Sequence, residues 1–75
     1  MSKLPSITGA DAVRAFRKLG FEVVRTRGSH YIMKRDGHAN LLTVPVHGSA
    51  PVKRGTLRSL IADAGATVEQ FAGLL

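Results

Sequence analysis

Phe21-Glu22-Val23-Val24-Arg25-Thr26-Arg27-Gly28-Ser29-His30-Tyr31-Ile32-Met33-Lys34-Arg35-Asp36-Gly37 is the stretch whose reading decides the fold. Residues 21–27 are rich in β-branched and aromatic side chains and predict a strand. Gly28-Ser29 interrupts it as a tight turn, and residues 30–35 predict a second strand. Asp36-Gly37 is a strong hairpin signal, with residues 41–46 as the third strand beyond it. Pro45 has no N–H to give, so this strand lies at a sheet edge or ends there. Short connections make the three strands an antiparallel meander.

Helices are expected on both sides of the meander. Thr8 is a good N-cap, and Asp11 lies three residues on, where a carboxylate favours the positive end of the helix dipole. Ala12, Val13, Phe16 and Leu19 follow at helical spacing, Arg14, Arg17 and Lys18 lie largely off that stripe, and Gly20 ends the helix, which is predicted over residues 9–19. A loop over residues 48–55 leads to a second helix capped by Thr56, with Leu57, Leu60, Ile61 and Ala64 as its buried stripe and Gly65 as its stop. Thr67 and Gln70 have capping-box spacing, so a short third helix would bury Val68, Phe71 and Leu74 or Leu75. The helical stripes must bury themselves on one sheet face, which gives an α+β two-layer sandwich with the order α-β-β-β-α and a short C-terminal helix.

The length of 75 residues suits one domain over residues 1–75, and composition narrows its class. Lysine and arginine total 11 against 5 aspartates and glutamates, a net charge of +6, while 44% of residues are hydrophobic. That is too apolar for a disordered basic tail, and no apolar run is long enough for a membrane span. The opening Met1-Ser2-Lys3-Leu4-Pro5 has no signal-peptide core, so the chain is expected to stay in the cytoplasm where it is made. With no cysteine, thiolate metal sites, disulfides and cysteine nucleophiles are all excluded. The charge points to a polyanion, nucleic acid first, with plain solubility charge as the bland alternative.

Three histidines, His30, His38 and His47, are the side chains that titrate near neutrality without help. Pairing strands two and three around residues 36–40 sets position 34 opposite 42 or 43, and position 30 opposite 46 or 47. His30 and His47 then emerge at one end of the sheet beside Gly28-Ser29 and Gly48-Ser49, while His38 sits solvated in the far turn. Arg25 and Arg27 lead into the first of these turns, and Lys53 and Arg54 follow the second. Two imidazoles, small residues that admit a bulky ligand, and a cationic rim suit phosphodiester chemistry. Cleaving RNA without a metal needs a base for the ribose 2′-hydroxyl, an acid for the leaving oxygen, and cations for the charge on phosphorus. Each histidine alone has an ordinary structural reading, and Arg14, Arg17 and Lys18 make a solvated helix face. Zinc is not expected, because His38 is at the wrong end and no carboxylate completes a set. A serine hydrolase is not expected either, since neither Ser29 nor Ser49 has a histidine–acid relay.

Four short motifs come in a recognisable order: Leu19-Gly20-Phe21, Gly28-Ser29-His30, Val44-Pro45-Val46-His47, and Arg54-Gly55-Thr56-Leu57 with the residues that follow to Ile61. Together they span nearly the whole chain, and the sequence resembles the HicA (YcfA-like) family of toxin mRNA interferases from type II toxin–antitoxin systems. The resemblance implies a fold like the double-stranded RNA-binding domain and an endoribonuclease that cleaves messenger RNA until a HicB-type antitoxin neutralises it. It places the family's essential histidine on His30, with Gly28 and Ser29 in the same motif. A supporting role for Ser29 or His47, and phosphate contacts from Arg25, Arg27, Gly28, Lys53 and Arg54, follow from the hairpin reading. No cofactor is expected. The alternative is a non-catalytic double-stranded RNA-binding module, which explains fold and charge but leaves the two histidines unused.

Overall fold

Thr8 caps the first helix as its sequence spacing requires: its hydroxyl accepts from the Asp11 N–H at 3.2 Å, while the Asp11 carboxylate accepts from the Thr8 N–H. The computed structural model describes residues 4–75, so Met1-Ser2-Lys3 of the segment read for a signal peptide lies outside the described residues. The elements run α1 (Gly9–Lys18), β1 (Glu22–Arg27), β2 (His30–Lys34), β3 (Leu42–Pro45), α2 (Arg54–Asp63) and α3 (Val68–Ala72). The sheet is antiparallel in the order β1-β2-β3, the α+β layout that the sequence predicts. No helix of the described residues is long and apolar enough to cross a membrane.

One sheet face carries Met33, Leu42 and Val44 into a core completed by Ala12, Val13 and Phe16 of α1 and Leu57, Leu60 and Ile61 of α2. Phe21 is buried but stands just before β1, where it meets Phe16 edge-on at 6.3 Å. Phe71 of α3 closes the core with its ring 5.0 Å from that of Phe16. Gly9 allows α1 to start against the end of β3, because a Cβ there would overlap the Pro45 carbonyl oxygen and approach Val46 Cα to 2.7 Å. Around this packing the chain closes with an isolated bridge between Thr8 and Pro51 and a 2.8 Å bond from the Val52 N–H to the Ile7 carbonyl.

Three sequence expectations need correction. His30 pairs with Pro45 and Met33 with Leu42, so the β2–β3 register differs from the expected pairing of 30 with 46 or 47. The physical reason is the connection, which holds Arg35 and Leu41 outside the strands. Arg35 donates to the Leu19 carbonyl at 3.0 Å and sits over the Phe21 ring at 4.7 Å, so it serves the helix side instead of extending β2. His38 is not solvated: its ring is half-buried, edge-on to Phe21 at 5.3 Å. Its Nε2 donates to the Asp63 carbonyl at 2.6 Å and its Nδ1 accepts from Arg35 at 3.1 Å, since a guanidinium can only donate. Finally, α2 begins at Arg54 with Lys53 as N-cap, so Thr56 lies inside its first turn instead of capping it.

β1 contains the irregularity that matters most for the surface. Val23 pairs with Met33 and Arg25 with Ile32, so Val24 is an extra residue, a bulge, and it is 57% exposed. Strict alternation from Val23 would send Arg25 and Arg27 toward the helices. The bulge restarts the alternation and turns both arginines to the open sheet face, in the rows of Ile32 and His30.

Candidate active site

The turn that precedes His30 is built on Gly28, whose φ of +59° lies in the left-handed region that glycine enters without penalty. It reverses the chain so that Arg27 and His30 become cross-strand partners. The half-buried Ser29 accepts from the Val46 N–H at 2.7 Å through its carbonyl, and this bond ties the end of β3 to the turn. His47 is the next residue, and its ring centre lies 6.1 Å from that of His30 with the planes at 79°. Both rings are exposed. The end-to-end meeting of His30 and His47 expected from the hairpin is therefore present, although the pairing that produces it is shifted.

Two surface hollows meet at His30. One cleft of about 500 Å³ is walled by His30, Thr43 and Pro45 on the sheet, by His47 and Lys53 on the following loop, and by Thr56 on α2. The other, about 510 Å³, lies on the open sheet face and is lined by Arg25, Arg27, His30, Ile32, Leu41 and Thr43. His30 and Thr43 belong to both. Lys53 thus approaches the histidine pair from one side and the two arginines from the other. Arg54 opens α2 but lines neither hollow.

Among the described residues the one ion pair joins Asp11 to Arg14 on α1, so Arg25, Arg27 and Lys53 are in no ion pair with a carboxylate of the described residues. The first turn of α2 follows the same pattern. Lys53 caps it without a side-chain hydrogen bond, and no acidic residue stands in the turn. Cations there oppose the helix dipole and cost stability, which concentrates positive potential at the cleft edge. No group of three or more histidine, aspartate or glutamate side chains among the described residues is placed to hold a metal ion.

Sequence reasoning missed Thr43, Thr56, Leu41 and Ile32 as surface-forming residues. Ordinary alternation along β3 places Thr43 outward between buried Leu42 and Val44, so that one was recoverable. Thr56 was masked by its own capping propensity.

The site is thus that of a small two-layer α+β domain with an exposed imidazole pair among cations that no carboxylate pairs with among the described residues. The chain belongs to the HicA toxin family: the family model described as HicA toxin of bacterial toxin–antitoxin matches residues 9–66, from the start of α1 to just beyond α2. Comparison with curated proteins gives no match.

Proposed function

We propose that this protein is the toxin of a toxin–antitoxin pair and acts in the cytoplasm as an endoribonuclease on messenger RNA, with His30 as its catalytic histidine. The observation that carries the reading is the 6.1 Å approach of the His30 and His47 rings at the junction of two cationic hollows. A phosphate seated against this pair meets both imidazoles. One ring takes the proton of the ribose 2′-hydroxyl as the O2′–phosphorus bond forms. The P–O5′ bond then breaks, and the leaving oxygen takes a proton from the other ring. The products are a 2′,3′-cyclic phosphate and a 5′-hydroxyl end, with no change of oxidation state and no metal required. Each proton role typically contributes 10²–10⁴-fold. Arg25, Arg27 and Lys53 supply the positive charge that the phosphorane needs, and Gly28, where an added Cβ would meet nothing within 4 Å, leaves the turn open to the RNA strand. Ser29 supports the site through its carbonyl, which holds His47 in reach.

The family supports an antitoxin partner. In this reading the partner is a HicB-type protein that covers His30 and presents acidic residues to Arg25, Arg27 and Lys53. Electrostatic attraction to a +6 chain speeds that encounter.

The test is RNA cleavage and growth arrest by wild type and His30→Ala, with mass spectrometry of the cut ends. The expected result is cyclic-phosphate ends from wild type, undiminished by EDTA, and no cutting by the variant. Full activity of His30→Ala overturns the assignment, and cleavage lost in EDTA removes the metal-free mechanism. RNA that is shifted on a gel yet remains whole with wild type returns the protein to the class of pure RNA binders.

A further inference from the structure

The bulge at Val24 does more than relieve strand β1. It collects Arg25 and Arg27 on an open face that also offers apolar floor. Ile32 is buried down to 9% exposure yet lies outside the core cluster, because its cover is this face and not the helices. Leu41 stands beside it with 54% of its surface exposed. Rows of the sheet place Arg25 next to Ile32 and Thr43, and Arg27 next to His30.

We propose that this open sheet face is a track for single-stranded RNA, which runs from Arg25 and Arg27 over Ile32 and Leu41 to His30 and continues into the Lys53 cleft. The inference rests on the ribonuclease reading and extends it by naming the form of the substrate and its path. Charge complementarity selects a polyanion, because two arginines reach the face and Thr43 adds no opposing charge. The apolar floor selects a strand with unpaired bases. In a duplex the bases are stacked inside and the surface presents phosphate and ribose, which gain nothing from Ile32 or Leu41. An unstacked base gains from the exposed Leu41, and a guanidinium plane supplies a further stacking surface. Three strands at about 4.8 Å spacing give a face roughly 10 Å across, wide enough for one strand of nucleotides. Because His30 and Thr43 line both hollows, a strand on the track reaches the imidazole pair without a break.

The experiment uses wild-type protein and a 2′-O-methyl oligoribonucleotide, which lacks the nucleophile and stays whole, both single-stranded and annealed to its complement. Binding is followed by fluorescence anisotropy over a salt series. The single strand is expected to bind at least tenfold more tightly than the duplex. Arg25→Ala/Arg27→Ala should weaken single-strand binding by roughly tenfold or more and flatten the logarithmic salt slope by about 1.4, the value for two lost phosphate contacts. Leu41→Ser should weaken it severalfold and leave the salt slope unchanged. Equal affinity for the duplex overturns the proposal, as does a double arginine variant that binds like wild type. If wild type binds neither oligonucleotide at low salt, the track is wrong and the face is left for an acidic protein. These failures leave the ribonuclease reading standing if His30→Ala alone abolishes cleavage. Conversely, an active His30→Ala variant overturns that reading without touching the binding result.

Discussion

His30 and His47 face each other with ring planes at 79°, held there because the residue before His30 accepts a hydrogen bond from the residue before His47. If one ring is the base and the other the acid, losing either should cost rate and not binding. His47→Ala is expected to lower kcat by 10²–10⁴-fold with little change in KM, and to remove one limb of a bell-shaped pH–rate profile. A profile identical in shape to wild type would show that His47 only frames the site.

Gly9→Ala should damage the fold although alanine is the better helix former. The added methyl collides with the Pro45 carbonyl and lies 2.7 Å from Val46 Cα, both backbone and unable to move aside cheaply. The expected loss is about 3 kcal/mol or more, seen as a fall in the urea midpoint. Since Val46 also positions His47, residual folded protein should cleave RNA poorly.

His38→Ala separates structure from chemistry. The variant loses the bonds to the Asp63 carbonyl and to Arg35, and should be less stable by about 1–3 kcal/mol. The rate per folded molecule should match wild type, as measured by cleavage normalised to the folded fraction. An inactive but stable His38 variant would place this ring in the mechanism.

Phe71→Ala should cost about 3–5 kcal/mol, because the ring is fully buried against Phe16. Thermal melting of the full chain provides the measurement. The family match ends at residue 66, so this contact lies beyond the matched segment, and the loss would show that α3 is part of the core.

The order of elements was legible because each carries local signals: the Thr8–Asp11 and Thr67–Gln70 boxes, the positive-φ glycines at 20, 28, 37 and 65, and period-2 alternation in β3. The meeting of His30 with His47 was legible too, since a hairpin brings its two outer ends together whatever the fine register. The register was not, because it depends on where Arg35 and His38 find tertiary partners on Phe21 and Asp63. His38 looked solvated for the same reason: turn position predicts exposure only until another element packs over the turn. The need for Gly9 is likewise invisible locally, as it arises from a contact with β3 far along the chain.

Seen as a question of parity, strand β1 is a switch with two settings. Its six residues hold two arginines at even spacing, and whether Val24 is paired or bulged decides which side of the sheet receives the charge. Pairing Val24 regularly with β2 would leave composition and net charge unchanged and yet drive both guanidinium groups under the helices, whereas deleting it would keep Arg25 opposite Ile32 and Arg27 opposite His30. Any redesign of this surface must therefore keep position 24 out of the pairing, either as the bulge or by removing the residue, because a regular six-residue strand would bury the charge.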